Sequence, residues 1–281
     1  MDDKALAAQQ PKDIDEALEY MRSTLQQFHA ARDRRAFFLR VYYMMTLEVH
    51  AAIHGTGAYL DRPVFMDPTW IEQLSGKFAS LYFKSLSVTG DGSAAGQRAW
   101  GAAHGAARSP RSTVLLNALL GIVAHIKKDL AQAIAENLLE FGDLDNPTTM
   151  IRRRFDHDQV NNLLIRVMGS IQDTLARDYE PVLGVGDRVL GGLDERLSSM
   201  GLRHYREQVW SDALTYAAML SQSDPEHVEL GTELVRAKLD WESHKLAEEV
   251  TDWRAMWFVE RTLGRGLAWR GRGRDWTQIE L

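Results

Sequence analysis

Apolar positions recur at helical spacing along most of this chain, and no stretch alternates with the period of two that a half-buried strand requires. Ala17, Leu18, Met21, Leu25 and Phe28 predict a helix over 13–30. Asp33 can cap a second helix to about Ala52, rich in Phe37, Phe38, Val41, Tyr42 and Met45. Asp67-Pro68 starts a third, with the carboxylate at the cap and proline in the first turn. It carries Trp70, Ile71, Leu74, Phe78, Leu81 and Tyr82. The glycine-rich run 89–96 reads as a loop, a short helix covers 97–107, and a long apolar helix follows over 112–141. Residues 142–149 read as a turn, 156–179 and 202–220 as helices, and 180–200 as mixed helix and turn. Asp224-Pro225 caps a last helix running to about Leu263.

The pattern predicts an all-α fold: a single multi-helix bundle with a helical C-terminal extension. The expected division is a disordered start over 1–12, a core over 13–222, an extension over 223–268 and a basic tail over 269–281 that holds the RGRGR run. With 281 residues, 45% of them hydrophobic, the chain is long enough for one substantial core. The net charge of −6 gives no electrostatic footprint for nucleic acid. The absence of cysteine excludes disulfides, thiolate nucleophiles, and Cys-ligated zinc or iron–sulfur sites. No phosphate-loop, dinucleotide or flavin glycine motif is present. The longest nearly uncharged apolar stretch, about 113–126, is too short to span a bilayer, and the polar N-terminal segment lacks a signal-peptide core. The chain therefore reads as a cytoplasmic protein.

Candidate chemistry concentrates in the apolar helix. His125 and Asp129 stand four apart and share a helical face with Ala118, Ile122 and Ala133. A carboxylate on an inward face needs a partner or a cation. The pair can supply two metal ligands, act as a base with its orienting carboxylate, or form a structural hydrogen bond. A second polar cluster, Asp156-His157-Asp158-Gln159-Val160-Asn161, opens the helix predicted from 156. Asp156 or Asp158 there suits capping, and Asn161 precedes an apolar run. His50 and His54 form an HxxxH pair, a zinc half-site in helical form. Ala51 stands where the zinc-protease pattern needs glutamate, and a helix end favours histidine anyway. His244 and Glu248 lie on a strongly charged helix and read as a solvated pair. Arg206 and Trp210 share a face, where the guanidinium can stack on the indole or reach a carboxylate.

Three segments in this order, FMDPTWIEQLSGKFASLYFKSL, LLNALLGIVAHIKKDLAQAI and RFDHDQVNNLL, resemble a bacterial helical family, domain of unknown function 5995. The resemblance covers about 35–222. It points to His125, Asp129, Asp156 and Asn161 as one site, with Arg206 and Trp210 joined less firmly. It names no reaction. The chain departs from the family pattern at Ile122-Val123, where the family has Met-Asn, at Lys127 in place of Asn, and at His157 in place of Phe.

Together these features imply an enzyme acting on a small molecule in a bundle cavity. His125, Asp129 and Asp156 would hold one divalent metal of the Zn, Mn or Fe type, or His125 and Asp129 would do acid–base work, with Asn161 and Arg206 completing the site. Hydrolase, lyase and cyclase chemistry all suit such a set, and assembly into a homo-oligomer stays open. The alternative is a non-catalytic binding or scaffold protein in which the same residues form a buried hydrogen-bond network. The tryptophans toward the C-terminus, Trp241, Trp253, Trp257 and Trp269, would suit a partner groove.

Overall fold

Two proline-capped starts fix the ends of the helices that matter most for the candidate site. In a computed structural model that describes residues 2–88, 97–110, 112–179, 202–252 and 275–281, Asp67 accepts from Trp70 N at the start of α4 (Pro68–Ser85), and Asn146 accepts from Thr149 N at the start of α8 (Pro147–Asp178). In both, proline occupies the first turn, where its missing N–H costs nothing. The helix expected from 156 thus begins nine residues earlier, because Asn146-Pro147 is a start signal and the segment 142–149 is not all turn.

The remaining helices are α1 (Asp3–Ala7), α2 (Ile14–Ala31), α3 (Ala36–Ile53), α5 (Arg98–Arg108), α6 (Val114–Ala124), α7 (Leu130–Glu140), α9 (Leu202–Leu220) and α10 (Pro225–Asp252). Short 3₁₀ turns cover Gly57–Tyr59 and Trp276–Gln278. All regular structure among the described residues is helical, and no helix there is long and apolar enough to cross a membrane. The fold is all-α. The N-terminal stretch expected to be disordered forms α1 instead: Asp2 caps it, Leu6 is buried, and Asp3 pairs with Arg35 at 2.9 Å.

α6 and α7 form one central rod joined by a π turn, His125–Asp129. α3 and α4 pack against this rod, with α2 against both and α8 against α3. α5 and α10 pack on α6, and α9 packs on α7. The rod is apolar on nearly every side because it is surrounded, as a central helix must be. Gly121 is required by this crowding: a Cβ there would lie 2.3 Å from Phe38 Cγ. Gly76 is required for the same reason, since its Cβ would lie 2.4 Å from the Lys12 backbone. The π turn stands where two apolar clusters meet. Val123 and Ala124 belong to one, with Phe38, Tyr82 and Trp100, while Ile126 and Leu130 belong to the other, with Trp70, Ile71 and Leu163.

α10, set apart by the sequence as an extension, is bound into this core. Asp240 accepts from the Arg98 and Ala99 amides and so caps α5 from another helix. Ser243 Oγ donates to the Val123 carbonyl of the rod. Residues 275–281 are also packed: Trp276 lies 5.4 Å, centroid to centroid, from both Phe37 and Tyr179. The RGRGR run, Trp253, Trp257, Trp269 and the segments 89–96 and 180–200 lie outside the described residues.

Candidate functional site

The widened turn presents four of its five residues inward: His125, Ile126, Lys127 and Asp129. Its closing bond runs from Leu130 N–H to the His125 carbonyl, five residues back. Such single turns recur at functional sites because they shift side chains out of the regular helical register. Here the shift lets one turn serve two sides of the rod. His125 packs among Phe38, Tyr42 and Phe78, while Lys127 Nζ reaches Gln208 Oε1 at 3.0 Å and Glu242 at 3.2 Å on α9 and α10. Lys127 is thus a buried lysine held by acceptors on two neighbouring helices.

His125 and Asp129 do pair. Nδ1 of His125 lies 3.0 Å from Asp129 Oδ2, and Trp100 Nε1–H donates to that same oxygen at 2.9 Å. An oxygen that already accepts the indole proton is an acceptor for the imidazole too, which places the ring proton on Nδ1 and leaves Nε2 as a lone pair. Nε2 is buried and has no hydrogen-bond partner among the described residues. Burial holds His125 below the ordinary histidine range, with the Asp129 hydrogen bond and charge pulling the other way, so the ring is neutral near pH 7. The Phe78 ring stacks flat on it at 3.6 Å. Tyr42, 4.4 Å away, has its phenol pushed up by burial and by the Asp129 charge.

His125 lines a cavity of about 80 Å³. Its walls are Phe38, Tyr42, Met45, Thr46 and Val49 of α3, Ile71, Leu74, Ser75 and Phe78 of α4, Ile122, His125, Ile126 and Leu130 of the rod, and His157, Val160 and Leu164 of α8. The lining is almost wholly apolar, apart from the two imidazoles and the hydroxyls of Tyr42, Thr46 and Ser75. His157, one residue after the expected site residue Asp156, stands on this wall in its place. Its position three residues before Val160 and seven before Leu164, on one apolar face, was the available signal. Its ring also packs on Trp210 at 5.4 Å.

The other expected site residues divide. Asp156 is fully buried in mid-helix and accepts from the backbone amides of Met66 at 2.7 Å and Asp67 at 2.9 Å. Burial pushes its carboxyl up, while the two amides pull it down. It neither caps its own helix nor lines the cavity: it braces the segment entering α4. Arg153 strengthens that brace, pairing with Asp143 at 2.7 Å and with Asp67. Asn161 is buried, its Oδ1 has no hydrogen-bond partner among the described residues, and it also stands outside the cavity lining. Arg206 lies in α9, but its side chain is outside the described residues. Among the described residues, the cluster that brings three His or carboxylate ligand atoms within 4.8 Å of one another is Asp15, His50 and His54, not His125, Asp129 and Asp156. His244 and Glu248 stand 3.4 Å apart; Glu248 is exposed, but His244 is half-buried, with its Nδ1 shielded from solvent, so the pair is not the wholly solvated one expected.

A rod with an inward π turn, a buried His–Asp–Trp hydrogen-bond network and two imidazoles on one apolar cavity characterise this all-α fold. The chain belongs to DUF5995, a family of unknown function, whose model matches residues 14–253. The match reaches further at both ends than the three motif segments, taking in α2 at the start and α10 at the end. No curated protein and no solved structure matches the chain.

Proposed function

We propose that the chain is an acid–base enzyme on a small, largely apolar molecule, with His125 as the base. The observation that carries this is the buried, partnerless Nε2 of His125 beside an apolar cavity, with Nδ1 committed to Asp129. In this reading Nε2 takes a proton from a substrate group, or from a water attacking it, within the cavity. Asp129 accepts the Nδ1–H and stabilises the imidazolium that forms, and Trp100 holds Asp129 in place. His157 carries the second imidazole on the cavity wall and suits the return of a proton. The apolar lining supports an uncharged substrate, or the uncharged end of one.

The probe is p-nitrophenyl acetate, whose acyl group is small and whose hydrolysis responds to a buried imidazole base. The His125→Gln chain, checked for folding by circular dichroism, should lose about 10²-fold in rate or more, and Asp129→Asn a smaller factor. An equal rate in folded His125→Gln would overturn the reading. A second reading, a non-catalytic buried network, draws on the flat stacking of Phe78 on His125, which is how a core histidine packs. It expects a lower melting temperature in both variants with no change in rate.

A further inference from the structure

We infer a divalent metal site at Asp15, His50 and His54, separate from His125 and joining the first turn of α2 to the last turn of α3. His50 and His54 lie four apart at the C-terminal end of α3, and the His54 amide donates to the His50 carbonyl at 3.0 Å, so one helical turn sets the separation of the two rings. Their centroids are 4.2 Å apart. Asp15 comes from a different helix, and its Oδ1 lies 2.9 Å from His50 Nε2. One ligand atom from each of the three falls within 4.8 Å of the other two. Tetrahedral zinc at ordinary bond lengths holds its ligand atoms about 3.3 Å apart, so rotation of exposed side chains closes the set without moving the backbone.

Helix-end electrostatics alone would favour histidine at the end of α3 and aspartate at the start of α2. They do not require two imidazoles to meet on one carboxylate. Two nitrogens and one carboxylate oxygen suit Zn²⁺ and its neighbours in the series, not Ca²⁺ or Mg²⁺, and three protein ligands leave one position for water. Asp15 and His54 are exposed, so the site loads directly from solvent. Ala51 follows His50, so the glutamate base of the zinc-protease motif is missing. The metal acts as a clasp between two helices. It also steadies α3 one turn beyond Thr46 and Val49, two residues of the cavity wall.

The test uses the full chain without a histidine tag, stripped with chelator and titrated with ZnCl₂ by calorimetry. One zinc per chain should bind, the melting temperature should rise with zinc, and affinity should fall on acidification as protons compete for the imidazoles. His54→Ala and Asp15→Asn should each weaken binding by more than the ~10-fold expected of an outer-shell partner. His125→Gln should bind zinc as the wild type does, which separates this site from the proposed catalytic one. Zinc affinity in the folded His50→Ala/His54→Ala double variant equal to that of the wild type would overturn the inference, as would loss of binding in His125→Gln alone.

Discussion

Asp156 and Asp240 show what single buried carboxylates do in this molecule. Each accepts two backbone amides from a segment remote in sequence, Asp156 from Met66 and Asp67, Asp240 from Arg98 and Ala99. Asparagine keeps the shape but offers one acceptor, and sets an N–H group against a second donor. Asp156→Asn should therefore lower stability by about 2–3 kcal/mol in urea unfolding, with the p-nitrophenyl acetate rate much less affected than in His125→Gln. Retained stability with a collapsed rate would instead place Asp156 in the chemistry. At this scale the sequence was half legible. The spacing of His125 and Asp129 foretold their contact, because helical geometry fixes four-residue neighbours. Trp100, which donates to Asp129, sits 29 residues away and carries no local signal. Asp156 looked like a cap because its partners belong to a different part of the chain.

Among the elements, helix starts were readable where Asp precedes proline, at Asp67 and Asp224. The same signal at Asn146 was masked by the surrounding glycine, aspartates and threonines. Asn146→Ala removes the side-chain acceptor for Thr149 N and should cost about 1 kcal/mol, measured as a fall in the urea midpoint with unchanged slope. No change there would mean that Arg153 and Asp156 anchor α8 without help from its cap. The π turn was not legible at all. Apolar residues at 122, 123, 124 and 126 fit a regular helix as well as a widened one, and only the packing of both sides of the rod selects the latter. The helical extension packs on the core for a related reason: charge along α10 marks its outer face, while Leu239, Asp240 and Ser243 on the inner face are buried.

Across the whole molecule, three of the buried histidines should contribute to the response to acid. Burial lowers His29 and His104 to about 4, with Arg40 and Arg35 respectively adding to the effect, and lowers His125 as well. Each folded-state value lies below the unfolded value near 6.5, so the unfolded chain binds more protons in between. The contribution of these groups to stability should therefore be fully present above about pH 6.5 and be lost as pH falls toward about 4. Melting scans from pH 7 to 5 should show this decline, and His104→Gln should flatten it; a curve as steep in the variant would assign the acid response elsewhere. His29 also belongs to the last closure of the fold. Its Nε2 lies 2.7 Å from the Tyr179 hydroxyl, beside Trp276, while Arg40 pairs with Asp178 at 3.2 Å and donates to the Glu280 carbonyl. Trp276→Ala should destabilise by about 3 kcal/mol in urea unfolding. That closure has a consequence in time. Phe37 meets Trp276 only after roughly 240 more residues have been made, which at ribosomal speed is on the order of ten to fifty seconds. Throughout that interval the aromatic face of α3 has no Trp276 to cover it, so nascent chains stalled before residue 276 should engage chaperones that the finished chain does not.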